Sequence, residues 1–442
     1  MAKRIVAIVG RPNVGKSTLF NKLAGHRISI VEDTPGVTRD RIYANCEWLN
    51  RNFTMIDTGG IDTKTDDVIL SQMRDQAKIA IESADVIIFV TDILCGITAS
   101  DSDVATILMK SKKPVVLCVN KCDNVGKIPD DIYEFYNLGL GEPFPVSSLH
   151  GHGTGDLLDK VLELLPEEEE EIYDEDTIKV AVIGKPNVGK SSLINKIAGE
   201  ERVIVSDIPG TTRDAIDTLI ENDYGKYVFI DTAGIRRKSR VSDNIERYSV
   251  MRAFLAVERA DVCVIMIDAN EGFTEQDSKI AGFAHEQGKG CIITVNKWDT
   301  VEKDDKTMEN YRKKLANDFA FMSYAPIIFI SAKTGQRIDK LYELIKFVNN
   351  QNSLRVSTGM LNDVLADSIA RVQPPSDKGK RLKILYMTQA STRPPTFVVF
   401  VNSAELFHFS YKRYLENQIR ATFGLEGTPI RFITRERGEK SK

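Results

Sequence analysis

Lys16 and Lys190 close one pattern written twice, Gly10-Arg11-Pro12-Asn13-Val14-Gly15-Lys16-Ser17 and Gly184-Lys185-Pro186-Asn187-Val188-Gly189-Lys190-Ser191. Its glycines let backbone N–H groups curl round phosphate oxygens, and a helix opening at the lysine adds the positive end of its dipole. In such a P-loop, Lys16 and Lys190 reach the β and γ phosphates of a nucleotide, and Ser17 and Ser191 offer a hydroxyl to Mg2+. One match arises by chance in roughly one or two of a hundred chains this long. Two in register are no coincidence.

The copies lie 174 residues apart, and the same shift carries Pro35-Gly-Val-Thr-Arg-Asp40 onto Pro209-Gly-Thr-Thr-Arg-Asp214 and Asp57-Thr58-Gly59-Gly60 onto Asp231-Thr232-Ala233-Gly234. Asp57 and Asp231 stand where a carboxylate backs the Mg2+ site, and Gly60 and Gly234 where a backbone N–H meets the γ phosphate. A threonine between these motifs completes metal coordination in nucleotide switches. Thr38 and Thr212 are selected for it, because the preceding position is Val37 in one copy and Thr211 in the other. Ile61 and Ile235 follow the glycines, where a water-orienting glutamine would otherwise act, so slow intrinsic turnover is expected.

Asn120-Lys121-Cys122-Asp123 recurs as Asn296-Lys297-Trp298-Asp299. The carboxylates of Asp123 and Asp299 can accept from the N1–H and the exocyclic amine of guanine, whereas adenine presents the wrong pattern; an acceptor left unpaired costs about 1–3 kcal/mol. GTP is therefore favoured over ATP. Ser331-Ala332-Lys333 reads as the remaining base-contact loop, with Ser147 and Ser148 in the first copy, where Leu149 replaces the lysine.

These groups need a parallel sheet to hold them. Short β-branched runs alternate with helical stretches in both copies, the signature of a mostly parallel sheet with helices on both faces. We expect an α/β architecture: GTPase domains at 1–165 and 178–350, an acidic linker at 166–177, and a small α+β domain at 353–442. The last is read as a helix at Thr358–Arg371, strands at Arg381–Thr388 and Thr396–Asn402, a helix at Tyr411–Phe423 and a strand at Pro429–Thr434. At 42% hydrophobic and 28% charged, the 442 residues suit a globular protein. Apolar runs are shorter than a membrane helix needs, and the N-terminus resembles no signal peptide, so a cytoplasmic monomer without membrane contact is expected. The six cysteines form no C-x-x-C pair and read as packing thiols.

The net charge of −4 hides a basic end: from Gln351 onward, 15 Lys and Arg face 8 Asp and Glu. Lys378, Lys380, Arg381, Lys383 and Arg431 are candidates for RNA phosphates, a solvated strand edge being the other reading. His150-Gly-His152 lacks the further ligands a metal site needs, and Gly424-Leu-Glu-Gly427 precedes a strand, so a turn is favoured over an RNA clamp.

The order of these motifs, with Pro394-Pro-Thr-Phe-Val-Val-Phe-Val-Asn402 and Gly427-Thr-Pro-Ile-Arg431 near the end, resembles the bacterial Der (EngA) family of tandem GTPases. The resemblance implies a KH-like C-terminal domain packed between the GTPase domains, and a nucleotide-switched role in 50S ribosomal-subunit assembly on rRNA. It implies catalytic work for Lys16, Thr38, Gly60, Lys190, Thr212 and Gly234. Asn13 and Asn187 match an asparagine that, in similar GTPases with a hydrophobic residue in place of glutamine, ligates potassium; a turn-forming asparagine is the alternative. A GTPase partner in tRNA modification, or an RNA scaffold with one non-hydrolysing site, remain as rivals.

Overall fold

The computed structural model describes residues 4–25, 43–58, 77–78, 80–81, 84–123, 129–167, 173–174, 176–199, 204–208, 217–230, 253–302, 304, 306–377 and 380–436. Thr38, Gly59, Gly60, Ile61, Thr212, Asp231, Thr232, Ala233, Gly234, Ile235 and Lys378 lie outside the described residues, as does much of the acidic linker. The chain forms two compact units, Met1–Ile172 and Tyr173–Lys442.

In the first unit β1 (Arg4–Gly10), β2 (Tyr43–Trp48), β3 (Arg51–Asp57), β4 (Val86–Asp92), β5 (Val115–Asn120) and β6 (Pro143–Pro145) form one sheet in the order β2-β3-β1-β4-β5-β6. β2 runs antiparallel to β3, and the other pairs are parallel. Successive residues of a strand face opposite ways. Accordingly Val6 and Ile8 enter one core with Leu19 and Leu158, while Ala7 and Val9 enter another with Val104 and Phe135. A strand buried on both faces cannot alternate polar and apolar residues, which is why these read as unbroken apolar runs.

The second unit repeats this plan with β7 (Ile178–Ile183), β9 (Asp217–Asn222), β10 (Gly225–Phe229), β11 (Val262–Asp268), β12 (Gly290–Asn296) and β13 (Ile327–Phe329). It adds an antiparallel edge strand, β8 (Ile204–Ile208), giving the order β13-β12-β11-β7-β10-β9-β8. The helices Ala99–Ser111 and Glu275–Glu286 both begin with a capping box, Thr98 with Asp101 and Thr274 with Asp277. Each satisfies two N–H groups that a helix start leaves unpaired. Among the described residues no helix is long and apolar enough to cross a membrane.

The C-terminal segment is a KH-like α+β domain. Its helices Thr358–Arg371 and Phe409–Phe423 pack on one face of a three-stranded sheet formed by β16 (Ile384–Ser391), β17 (Thr396–Val401) and β18 (Arg431–Glu436). The strand expected over Arg381–Thr388 is broken in two. Arg381 belongs to a separate ribbon of β14 (Ser376–Asp377) and β15 (Lys380–Arg381). The break has a physical cause in Asn402, whose Nδ2 donates to the Arg381 carbonyl (3.0 Å) while its Oδ1 accepts from the Lys383 N–H (2.7 Å). A side-chain amide replaces the ladder at that point.

This small domain is joined to the second GTPase domain by backbone. The Cys291 N–H donates to the Gly427 carbonyl (2.7 Å), and the Gly427 N–H donates to the Tyr324 carbonyl (2.8 Å). Arg420 lies over the Tyr324 ring (4.8 Å), and the Arg431 guanidinium donates to the Glu286 carbonyl. Burial, with Arg431 and Arg420 nearby, pushes the His285 imidazole down to about 4, so it is neutral at pH 7 beside the Tyr324 hydroxyl (2.8 Å). The Gly424–Gly427 turn is therefore the docking loop. Gly427 has φ +77°, and a Cβ there would stand 2.4 Å from Val348 Cγ2. Gly427→Ala should loosen the joint, raising amide exchange at Cys291 by about tenfold or more and leaving Ile265 in the adjacent strand unchanged. Unchanged exchange at Cys291 would show that the contact does not hold the domains together.

Candidate active sites

Each P-loop leaves the end of a central strand and enters a helix, Lys16–Ala24 or Lys190–Ala198, with Gly15 or Gly189 as its N-cap. These glycines have φ of 91° and 102°, and a Cβ would fall 2.4 Å from Asn120 Nδ2 or 2.2 Å from Asn296 Nδ2. A glycine N-cap offers no side-chain cap of its own, and a helix start of this kind suits an anion. Lys16 Nζ donates to the carbonyls of Gly10 (2.7 Å) and Arg11 (2.8 Å); Lys190 Nζ donates to those of Gly184 (2.6 Å) and Lys185 (2.7 Å). Each ammonium thus clasps its own loop in the curled form.

Asn120 and Asn296 serve as pins. The Nδ2 of each donates to the P-loop carbonyl of Val14 or Val188, at 2.7 Å in both domains. The Oδ1 accepts from the base-contact loop: from Ser148 N–H (2.9 Å) and Oγ (2.7 Å) in the first domain, and from Ala332 N–H (2.9 Å) in the second. Ser147 Oγ donates to Asp123 Oδ1 at 2.5 Å. Asp123 and Asp299, the carboxylates expected to read the base, are exposed, and so are Leu149 and Lys333 at the ends of their loops. Ser331 is buried.

In the first domain Ser17 Oγ donates to Asp57 Oδ2 at 2.8 Å. A hydroxyl beside a buried carboxylate is a hard-oxygen donor set that suits Mg2+. Thr58 Oγ1 donates to the Ile8 carbonyl (2.5 Å), anchoring the end of β3 to β1. Asn13 and Asn187 take left-handed φ of 66° and 64°, a conformation asparagine tolerates, so the turn alone gives a reason for the residue type. Pro12 and Pro186 precede them in each loop. His150 and His152 are stacked at 6.0 Å, and the described residues hold no cluster of metal-ligating side chains. Arg431, counted among the RNA candidates, is turned to Glu286 of the GTPase domain.

Two carboxylate pairs were not singled out from the motifs. Asp92 and Asp268, at the ends of β4 and β11, hold Lys121 (2.6 Å) and Lys297 (2.5 Å), whose backbones are left-handed at φ 67° and 63°. Burial opposes the Asp268 charge, yet the bonds from Lys297 and Asn270 keep its carboxyl below the usual range. Asp101 and Asp277, both fully buried, lie beside the cations that open the P-loops: Arg11 Nε is 3.6 Å from Asp101 Oδ2, and Lys185 pairs with Glu271 near Asp277. Their signal was available, since all four positions recur at the shift shared by Asn120 and Asn296.

Burial pushes the Lys190 ammonium down to about 8, with the Asp277 carboxylate acting against the shift. An anionic triphosphate favours the charged lysine and must draw a proton onto it when the pH lies above about 8. In a chain whose first site is disabled by Asp123→Ala, calorimetric titration with GTP in buffers of different ionisation heat should show proton uptake at pH 8–9 and little at pH 6.5. Affinity at that site should fall as pH rises through about 8. Binding heats independent of buffer at pH 8.5 would contradict the shift.

The family profile described as "50S ribosome-binding GTPase" matches residues 5–121 and again 179–297, and the profile for the C-terminal "KH-domain-like of EngA bacterial GTPase enzymes" matches 355–435. The chain is 65% identical over 437 residues to the GTPase Der of Acetivibrio thermocellus, covering 99% of both. It is 66% identical over 441 residues to that of Ruminiclostridium cellulolyticum, covering 100% of both. Likeness of this degree from end to end, with both nucleotide folds and the KH-like domain in place, makes the chain a member of the Der (EngA) family and a GTPase.

Proposed function

We propose that the protein binds and hydrolyses GTP at two sites per chain and acts in the cytoplasm, as a monomer, in late assembly of the 50S subunit. One observation supports two working sites above all. The lysine clasp, the asparagine pin and the lysine–aspartate pair occur in both GTPase domains with the same partners. A scaffold with one degenerate site has no use for both sets.

In this reading Asp123 and Asp299 take the guanine edge, and Lys16 and Lys190 exchange their loop carbonyls for β and γ phosphate oxygens. The N–H groups of Gly60 and Gly234 meet the γ phosphate. Ser17, Thr38 and Asp57, and in the second domain Ser191, Thr212 and Asp231, would hold Mg2+. The chemistry a bound Mg2+ supplies is charge neutralisation across the β and γ phosphates. Ile61 and Ile235 cannot orient water, so transition-state charge is stabilised elsewhere, with Asn13 and Asn187 as potassium ligands. Hydrolysis should run faster in potassium than in sodium at matched ionic strength, and Asn13→Ala with Asn187→Ala should abolish the difference. Equal wild-type rates in both salts would remove potassium from the account.

Exposed Lys380, Arg381 and Lys383 lie in the KH-like domain; with Lys378 they are assigned to rRNA phosphates. Because that domain is joined to the second GTPase domain, point changes are the cleaner test. The wild type should co-sediment with purified 50S subunits with a non-hydrolysable GTP analogue and less with GDP. Gln in place of each basic residue should weaken association and lower its salt slope by roughly 0.7–0.9. Co-sedimentation indifferent to nucleotide and to all three changes would refute the rRNA assignment.

A further inference from the structure

Both helices of the KH-like domain pack on the same side of the β16–β17–β18 sheet, against Met387, Phe397 and Val399. The opposite face takes the alternate residues. Register places Tyr386 beside Phe400 and Phe400 beside Arg435 in one row, and Thr388, Val398 and Ile433 in the next. Tyr386 and Ile433 are 45% and 44% exposed, and the bulge between Ile384 and Tyr386 leaves Leu385 41% exposed. The Tyr386 and Phe400 rings are stacked, centroids 4.2 Å apart and planes 13° from parallel. Phe400 thus holds Tyr386 as a flat aromatic surface toward solvent.

Charge selects the partner. Lys383 precedes β16 and bonds with Asn402 at the end of β17, next to the aromatic row, and Lys380, Arg381, Lys383 and Arg435 are all exposed. Glu436, the acidic residue at that end of β18, already accepts from the Ala404 N–H (2.6 Å). A rigid aromatic stack bordered by cations suits unpaired bases carried on a phosphate backbone, because every base has a π-face and each phosphate a negative charge. A-form duplex buries those faces and cannot use the stack.

We infer that the exposed part of this face, where Tyr386, Ile433 and Arg435 lie and apart from buried Val398 and the Arg431–Glu286 contact, is a stacking platform for single-stranded RNA, with Tyr386 receiving a base and Arg435 and Lys383 the adjoining phosphates. The inference rests on the rRNA reading above and gives it a particular surface.

The test uses the full-length protein, a fluorescent 15-nucleotide single-stranded RNA, a duplex of equal length, and purified 50S subunits. The single strand should bind more tightly than the duplex. Tyr386→Ala should weaken single-strand binding about tenfold with an unchanged salt slope, and Tyr386→Phe should restore it, since stacking needs the ring and not the hydroxyl. Arg435→Gln should instead lower the salt slope by roughly 0.7. Duplex affinity should not respond to Tyr386→Ala. If Tyr386→Ala changes neither assay while the Lys380, Arg381 and Lys383 changes release the 50S subunit, the platform is refuted and the rRNA reading stands. If none of these changes affects either assay, both fail. Loss of 50S association by Tyr386→Ala with free RNA binding intact would overturn the inference by showing a protein partner on this face.

Discussion

One side-chain amide in each GTPase domain ties the nucleotide site together. Asn120 and Asn296 leave the ends of parallel strands, donate to the P-loop and accept from the base-contact loop. The P-loop and the loop proposed to contact the base therefore share one fixed point at a strand end. The constraint reaches back to the P-loop glycines, because an amide this close leaves no room for a side chain at Gly15 or Gly189. Losing the amide would strand a buried P-loop carbonyl, at about 1–3 kcal/mol, and unhook both loops.

The duplicated plan has diverged around this fixed point. Leu149 stands where the second domain has Lys333, and acidic Asp62, Asp66 and Asp67 follow the first Asp-x-x-Gly motif where Arg236, Arg237, Lys238 and Arg240 follow the second. The second domain is also tied to the KH-like domain, and β12 spans the distance between the two features. Cys291, near its start, bonds to the docking loop, and Asn296, at its end, pins the P-loop. A single strand thus carries both the joint with the KH-like domain and the amide that pins the second P-loop.

Much of this was legible from residue types. Apolar runs located the parallel strands because burial on both faces permits nothing else, and the helix expected at Thr358–Arg371 forms with those bounds, ahead of Pro374 and Pro375. The motif lysines and asparagines are legible from their spacing, but the partners they bond to in the fold are not. Asp92 and Asp268 looked like ordinary strand ends, and only the fold brings them to Lys121 and Lys297. The single strand expected over Arg381–Thr388 is broken after Arg381 because Asn402, distant in sequence, bonds to the backbone on both sides of the break. Arg431 reads in the sequence as one more basic surface residue, and its bond to the Glu286 carbonyl appears only in the fold. In each case a long-range polar contact prevailed over local pattern.

The account stands on the equivalence of the two pinned sites, and counting nucleotide per chain tests that most directly. Equilibrium dialysis with labelled GDP should saturate at two per chain, and at one after either Asp123→Ala or Asp299→Ala. Saturation at one in the wild type, unaffected by one of those substitutions, would mean that the matching geometry does not make matching sites.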